Sequence, residues 1–464
     1  MAGIGVKLNK IYNKNTLTTN IIGMGYSTMI TIAPMILVIA AIMAMQVLLD
    51  VSKVGYAQRE LFACTVLYIF IFSLLSAAPF NSVLSRYMSD IIYEEKYEDV
   101  LPCFYVGIML NLGVSCVVGI VFCVREYLTG EVPAWFVFAG YCGYVALVLV
   151  FYQMLYLSIC KDYKKISFFF LLGMAVSVAL AVIFAIVFGC DKTYSMLVAL
   201  DIGFFLIASL EFAVIRNYFK KNSGEYKRVL SYFRIYWKLV ATNFLYTLGL
   251  YIHNFVFWTT DLRMVVADTF VCVTSYDLAT CLAMFTNLSS SVIFISRVEM
   301  HFHARYKAYS EAVIGGRKMD IELAKKFIIS VILFFICIIL LPRFGFDGLV
   351  LKIYPCLAAG YFVLFIMYAA IIFLYYFNDL TGALMTAFLF CFVTWLSSVV
   401  ATWLPEIWYG IGVFIGSFVG FCVAYARLRW LEKNLDEHVF CRGSLLRHKR
   451  GVPPESKVFD RYKD

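Results

Sequence analysis

Long apolar runs recur from about residue 20 to about residue 428 and are separated by short polar connections. A run of 18 or more apolar residues crosses about 30 Å of hydrocarbon as a helix. The runs do not alternate as barrel strands would, and lipid cannot satisfy the edge of an open sheet. The pattern predicts an all-α integral membrane protein of about twelve transmembrane helices. These spans 1 to 12 are placed at 20–48, 61–80, 101–124, 134–160, 166–189, 194–215, 236–257, 268–295, 323–342, 347–376, 380–403 and 408–428.

The composition supports this class. Of 464 residues, 62% are hydrophobic and 15% are charged, against roughly 25% charged residues in an ordinary soluble domain. The length alone would suggest several soluble domains, which the recurring apolar runs exclude. The first run is too long for the apolar core of a signal peptide, so we expect no cleaved leader and insertion directed by the helices themselves.

Basic residues are distributed unevenly between two sets of connections. Lys and Arg number 32 in the N-terminal segment, the connections after even-numbered spans and the C-terminal tail, and six in the connections after odd-numbered spans. The first count includes four residues at the adjoining span ends, Lys238, Lys325, Lys326 and Arg427. Because the cytoplasmic side of a membrane protein carries this excess, both termini are predicted to be cytoplasmic. The net charge of +9 has a topological explanation, and no nucleic-acid partner is expected.

Motifs of enzymatic chemistry are absent from the sequence. It contains no GxxxxGKS/T loop, no GxSxG, no HExxH and no kinase signature set. The fourteen cysteines form no CxxC pair and no zinc-type spacing with histidine, and most lie inside apolar runs, where a thiol packs as a small apolar group. We therefore expect no enzyme, no cofactor and no metal site. Active transport would use an ion gradient or a partner.

Among the ionisable residues inside predicted spans, five are candidates for a functional role, because burial costs roughly 2.5–3.5 kcal/mol each on insertion scales. They are Asp201, Glu211, His253, Asp277 and Lys352. Asp201 and Asp277 lie about seven and nine residues into their spans. At that depth we favour a functional role for these two carboxylates, such as holding a proton, an ion, a sugar hydroxyl or an amine.

The other three have structural alternatives. Glu211 is interpreted as a partner of Arg216 at headgroup level. Lys352 is near the start of its span and can extend its ammonium to the interface. His253, beside Asn254, is interpreted as part of a hydrogen bond between helices.

The candidate residues of a transport pathway lie inside spans or at their cytoplasmic ends: Asp201, Asp277, His253, Asn254, Lys352, Arg86 and Arg297. The two arginines either close the cytoplasmic side of the path or only mark helix ends. Aromatic residues make up 18% of the chain. They suit a path for a glycan, although Tyr and Trp at span ends are also ordinary interface anchors.

Two cytoplasmic connections, 84–98 and 298–310, are amphipathic. Each places apolar residues at helical spacing and charges on the other face, which predicts helices lying on the membrane surface. One interpretation is a docking face for a cytosolic partner, and the other is a connector that rests on lipid. The candidate docking residues are Tyr87, Ile91, Glu94, Phe302 and Tyr306.

The connections also have the spacing of an internal duplication. Arg86 ends span 2 as Arg297 ends span 8, and Asp162 after span 4 corresponds to Asp379 after span 10. Many transporters contain such repeats, with the substrate path between them. We predict an N-terminal six-helix lobe at 1–217, a C-terminal six-helix lobe at 218–430 that opens with a cytoplasmic linker at 218–235, and a basic cytoplasmic tail at 431–464.

Short stretches of sequence carry a family resemblance. The N-terminus reads MAGIG, then Lys7-Leu8, and a stretch from Tyr26 to Pro34 enters span 1. Further stretches are SRYMSD at 85–90, Tyr276-Asp277, SRVE at 296–299 and YYF at 375–377. With these motifs in order, the chain resembles the PelG family, the membrane transporters of bacterial Pel exopolysaccharide systems, from residue 1 to about residue 435.

The resemblance implies a MATE-like, flippase-like fold in the cytoplasmic membrane and export of a polymer rich in N-acetylgalactosamine. It implies a cytosolic glycosyltransferase of the PelF type, which makes the polymer, and membrane partners of the PelD and PelE types. Two alternatives remain open at this point. One is an ion-coupled antiporter of small organic cations that uses Asp201 and Asp277, and the other is a scaffold that activates the synthase without passing substrate.

Overall fold

The computed structural model describes residues 17–130, 132–160, 162–287, 330–339, 342 and 348–434. Helices dominate this part of the chain, and two short strands form a hairpin. In chain order the elements are α1 (Leu17–Leu48), α2 (Tyr56–Tyr93), α3 (Val100–Thr129), α4 (Ala134–Ile159), α5 (Tyr163–Val182), α6 (Lys192–Tyr218), α7 (Tyr226–Ile235), α8 (Trp237–Phe257), β1 (Met264–Val266), β2 (Phe270–Cys272), α9 (274–287), α10 (Ser330–Ile339), α11 (Gly348–Tyr376), α12 (Leu380–Ala401) and α13 (Ile411–Lys433).

Eight helices in the described part of the chain are long and apolar enough to cross a membrane: α2 to α6 and α11 to α13. The predicted all-α membrane class is therefore confirmed. The twelve predicted spans correspond in order to α1–α6 and α8–α13. Because spans 8 and 9 are described only in part, the full count of twelve stays a prediction.

The helices form two lobes, lobe 1 from α1–α6 and lobe 2 from α8–α13, joined by α7. Their buried apolar side chains form two separate clusters. In lobe 1, α6 packs against α4 and α5, and in lobe 2, α13 packs in the same way against α11 and α12. The equivalent packing is what an internal duplication produces.

A matching contact occurs at the turn before the fifth helix of each lobe. The hydroxyl of Tyr218, at the end of α6, donates a hydrogen bond to the carboxylate of Asp162. The guanidinium of Arg427, near the end of α13, donates to the carboxylate of Asp379 at 2.5 Å. Each aspartate thus ties its turn to the last helix of its lobe. The exact lobe boundaries at 1–217 and 218–430 remain predictions.

The first predicted surface helix is not separate from the membrane helix before it. α2 continues without a break to Tyr93, and Tyr87 and Ile91 are fully buried. The Cys103 thiol of α3 contacts the Leu84 carbonyl oxygen, and Tyr232 of α7 packs edge-on against the Tyr87 ring at 4.8 Å between centroids. The prediction that Tyr87 and Ile91 form an open docking face is wrong, because α3 and α7 cover the apolar side of this segment.

A β-hairpin precedes α9, so the predicted start of span 8 at 268 is wrong. Strand β1 pairs antiparallel with β2, and Met264 lies opposite Cys272. The hairpin packs on α2 near its first residues, whereas α7 packs on α2 and α3 at the opposite end of the bundle. We call these the outer end and the inner end, respectively.

Candidate functional site

Asp201 lies inside lobe 1, where α6 crosses α4. Its side chain is buried, and a Cβ atom built on Gly143 of α4 would collide with its Oδ1 atom. Only a glycine leaves room for the carboxylate at this crossing. Oδ1 has no hydrogen-bond partner among the described residues. A buried carboxylate oxygen without a donor is unusual and marks a candidate for proton or ligand binding.

An aromatic cavity of about 90 Å³ lies beside this crossing, between α2, α3 and α4. Ile69 connects the two features, because its Cδ1 atom lies 3.1 Å from the position of a Cβ on Gly143 and the residue also lines the cavity. The walls are almost entirely apolar and offer ring faces for stacking. The aromatic residues around the cavity include Tyr68, Phe72, Phe122, Tyr141, Tyr144 and Phe270.

Asp277 lies in a different environment from the one its sequence position suggested. Because α9 begins at 274, Asp277 is in the first turn of the helix, at the outer end rather than deep in the bundle. The Asn254 amide donates to its carboxylate at 2.6 Å, the Trp258 indole donates at 3.1 Å and the Val273 backbone N–H donates at 3.0 Å. Three donors and a helix N-terminus satisfy the negative charge.

His253 forms a buried hydrogen-bond network between three helices of lobe 2. Its Nδ1 atom lies 2.8 Å from the hydroxyl oxygen of Tyr276 on α9, and its Nε2 atom lies 3.2 Å from that of Tyr361 on α11. The Tyr361 hydroxyl also lies 3.2 Å from the Leu250 carbonyl oxygen. His253 therefore forms hydrogen bonds between helices, as the structural interpretation expects, whereas the neighbouring Asn254 donates to Asp277 and leaves its own Oδ1 without a partner among the described residues.

The other pathway candidates lie toward the ends of the bundle. The ammonium of Lys352 lies 2.7 Å from the carboxylate of Glu406, and both side chains are exposed. Arg86, at the inner end, lies 3.3 Å from Asp90 and over the ring of Tyr236. Each of these two cations lies beside an acidic side chain. A role of Lys352 or Arg86 in the transport pathway stays a prediction. Arg297 lies outside the described residues.

The remaining docking candidates have mixed outcomes. Glu94 lies at the inner end between Lys96 and Arg228, at 2.8 and 3.1 Å from their nitrogens. Burial raises the pKa of Glu94, but hydrogen bonds from Lys96 and Arg228 outweigh it and hold the pKa below its usual value. The carboxylate is thus engaged within the chain. Phe302 and Tyr306, with the segment 298–310, lie outside the described residues.

The hairpin forms an interface between the lobes that the sequence did not indicate. The Tyr68 hydroxyl of α2 donates to the Val271 carbonyl oxygen at 2.6 Å and accepts from the Val271 N–H at 2.9 Å. The Tyr68 ring stacks between Trp258 and Phe270, with centroid distances of 5.1 and 5.6 Å. These contacts hold lobe 2 against lobe 1 at the outer end.

A second outer contact involves a buried acid. Glu126, in the last turn of α3, is fully buried and accepts a hydrogen bond from the Thr269 hydroxyl in the hairpin. Arg125 lies 3.4 Å from the same carboxylate. The predicted spans hid these contacts, because residues 268–272 were assigned to a helix. A run of Gly, Pro and Asn would have marked the hairpin, and none occurs between 258 and 273.

Comparisons with known proteins complete the description of the fold and its candidate site. A family model described as "PelG: Putative exopolysaccharide Exporter (EPS-E)" matches residues 1–327 and 321–440. None of the curated proteins compared with the chain matches it significantly. The family match covers nearly all of the predicted membrane region.

Solved structures of MATE transporters share the fold at low sequence identity. One, an outward-facing multidrug resistance transporter of the MOP superfamily, is 15% identical with a TM-score of 0.60, over 89% of this chain and 96% of that one. A MATE structure in the straight conformation has a TM-score of 0.58 at 12% identity, over 88% and 96%. The ClbM transporter in complex with Rb⁺ has a TM-score of 0.56 at 16% identity, over 88% and 96%.

The two comparisons agree with the apolar helices described above. Eight helices fit a membrane, and two lobes with equivalent packing fit the MATE architecture. At this identity the solved structures show the fold alone, whereas the family model spans most of the chain. The chain therefore belongs to the PelG family of exopolysaccharide exporters and is a multi-pass membrane transport protein with a MATE-like fold.

Proposed function

We propose that this protein exports the Pel exopolysaccharide, a polymer rich in N-acetylgalactosamine, across the bacterial cytoplasmic membrane. The observation that carries the proposal is the family match over residues 1–440 on a two-lobed transporter fold. A PelF-like cytosolic glycosyltransferase would supply the polymer, and membrane proteins of the PelD and PelE types would complete the assembly. The protein itself would act without catalysis.

The distribution of charge supports an orientation for this export. The basic segment that contains α7 lies at the inner end, and excess Lys and Arg favours the cytoplasmic side. Both termini would then be cytoplasmic, and the hairpin would face the outside. Polymer would enter between the lobes from the inner end. The hairpin contacts with α2 and α3 would have to separate before it leaves.

Export is tested by deleting the gene and measuring the polymer in the medium and inside the cell. We expect secretion to be lost while cell-associated polymer is still made, and secretion to return with the wild-type gene. Unchanged secretion in the deletion strain would reject the proposal. Loss of synthesis as well as secretion, restored by variants that cannot pass substrate, would indicate a scaffold.

The linker between the lobes offers a surface for the glycosyltransferase. Lys220 and Lys227 are exposed at the inner end, and basic side chains there suit an acidic partner surface. Reversing both charges to Glu is expected to reduce co-purification of the glycosyltransferase with the transporter. Lys53, an exposed lysine at the outer end, provides the matched control, and Lys53→Glu should leave co-purification unchanged. Equal recovery of the glycosyltransferase with all variants would exclude this surface as its binding site.

A second function, antiport of small organic cations, is favoured by one observation. The unpartnered oxygen of Asp201 lies beside an aromatic cavity, and aromatic faces attract cations. Asp277, by contrast, is satisfied by its three donors. Efflux of an organic cation that depends on an ion gradient and disappears in Asp201→Asn would support the antiporter. Unchanged efflux in this variant would show that antiport does not require Asp201.

A further inference from the structure

Glu211 is the most completely isolated carboxylate in the described part of the chain. It lies on α6, its side chain is fully buried, and neither carboxylate oxygen has a hydrogen-bond partner among the described residues. An ionised carboxylate loses its hydration on burial and is stable only with a counter-charge or several donors. Without either, the group takes up a proton and becomes neutral.

Other buried acids in the described structure have hydrogen-bond and ion-pair partners, which Glu211 lacks. Glu126 is equally buried, but it accepts from Thr269 and lies beside Arg125. Asp379 is buried against Arg427. Both carboxylates thus have a basic neighbour and a hydrogen-bond donor, and Glu211 has neither among the described residues.

The cations near the inner end of α6 are engaged elsewhere. Arg216 donates to the Tyr105 hydroxyl at 2.6 Å, so the predicted pair between Glu211 and Arg216 is wrong. Lys165 of α5 lies 2.9 Å from the Asp162 carboxylate and donates to the Tyr218 hydroxyl at 2.7 Å.

Several titratable groups on the other helices packed against α6 have partners of their own, whereas the buried amide oxygen of Gln153 on α4 has none among the described residues. On α4, the hydroxyls of Tyr152 and Tyr156 hydrogen-bond to each other at 2.7 Å. On α2, Arg86 and Asp90 form an ion pair.

A metal cation is a poor candidate for this position. Ions such as Ca²⁺ and Mg²⁺ require several oxygen ligands. In the residues that the structure describes, no three His, Cys, Asp or Glu side chains converge as a metal site. A lone carboxyl group can bind one cation without further ligands, and that cation is the proton.

We propose that Glu211 is a proton-binding site in the inner half of lobe 1 and that it couples transport to the proton gradient. Seven residues separate it from Tyr218 at the end of α6, which is about 10 Å at the helical rise. A proton bound there can exchange when the lobes open toward the inner end. Opening toward the outer end would place the same group in contact with a different proton concentration.

Infrared spectroscopy of the full-length protein in detergent tests proton binding directly. A neutral carboxyl group has a carbonyl stretch that a carboxylate lacks and that shifts in heavy water. Subtracting the spectrum of Glu211→Gln from that of the wild type should reveal this band. Glu126→Gln is the matched control and should remove no such band. A spectrum in which Glu211→Gln also leaves the band unchanged would overturn the proposal.

Thermal unfolding supplies a second readout, because the stability of Glu211→Gln depends on whether the native group is neutral. Gln resembles a protonated Glu in shape and charge, so Glu211→Gln should leave the Tm unchanged or raise it, whereas Glu126→Gln should lower the Tm. A large loss of Tm in Glu211→Gln would show that the native group is ionised, and would overturn the proposal.

The proposed coupling of transport to the proton gradient rests on the proposed export function, and it is tested separately. In cells, Glu211→Gln should abolish polymer secretion at wild-type protein levels. Normal secretion in this variant, with the infrared band lost, would overturn coupling. If deletion of the whole gene left secretion intact, export itself would fail, and the infrared result would still decide proton binding.

Discussion

The contact between Tyr68 and the hairpin gives the sharpest quantitative prediction. Tyr68→Phe removes the two hydrogen bonds that join α2 to Val271 but keeps the ring between its two aromatic neighbours. Two such bonds stabilise the closed outer end by about 1–3 kcal/mol in net terms. A difference of this size changes an equilibrium by about 5–150-fold. The hairpin should therefore separate from lobe 1 that much more often in Tyr68→Phe.

Natural cysteines report this opening. Cys272, in β2, is buried where the hairpin packs on lobe 1, and Cys103, on α3 near the inner end, is buried away from the hairpin. When opening is fast and reversible, the rate of maleimide labelling at a buried thiol follows the open fraction. Labelling of Cys272, measured by mass spectrometry, should rise about 5–150-fold. Labelling of Cys103 should stay constant, because this thiol becomes accessible only when the bundle unfolds, and so it controls for general unfolding.

The outcome at Cys272 decides the reasoning. Unchanged labelling of Cys272 in Tyr68→Phe would refute the view that the hydrogen bonds to Val271 hold the outer end closed. Equal increases at both thiols would show loss of the fold instead, which also contradicts a local effect.

Three further predictions follow from the packing and charges. Gly143→Ala should lower stability by about 1–3 kcal/mol through overpacking against a buried carboxylate, while Gly113→Ala, with open space around it, should not, as thermal unfolding in detergent would show. Asp379→Asn should cost about 1–3 kcal/mol because its charge-assisted bonds to the last helix are lost, and an unchanged Tm would contradict this. Arg228→Gln should destabilise the protein most above about pH 4.3. The pKa of Glu94 is lower in the folded than in the unfolded protein. The ion pair with Arg228 therefore stabilises the fold above the unfolded pKa, and this stabilisation disappears as the pH falls through the folded pKa. A Tm loss in Arg228→Gln that is independent of pH would contradict this pairing.

The membrane class was predictable because hydropathy acts on every residue of a span. A transmembrane helix satisfies its own backbone, so its existence depends little on which other helix it contacts. The matching turns of the two lobes were visible for a related reason. Turns such as those at Asp162 and Asp379 are local signals, and both turned out to contact the last helix of their lobe.

Three features of the structure could not be predicted from the sequence, because they depend on tertiary contacts. The apolar face around Tyr87 has the spacing of a surface helix, and only the packing of α3 and α7 shows that it is covered. Asp277 was predicted to be deep because the hairpin before it is as apolar as a helix. Glu211 was paired with Arg216 by proximity in sequence, whereas the arginine contacts Tyr105 of another helix. For Tyr87 and Arg216 the partner lies far away along the chain.

Reconstitution in lipid vesicles tests the export proposal most directly. The purified transporter is inserted in vesicles with its cytosolic glycosyltransferase on the outside, and nucleotide-activated N-acetylgalactosamine is added. The measured quantity is the polymer protected inside the vesicles from an added glycoside hydrolase. We predict a protected fraction that requires the transporter. Polymer that stays entirely accessible to the hydrolase, although synthesis proceeds, would contradict the account.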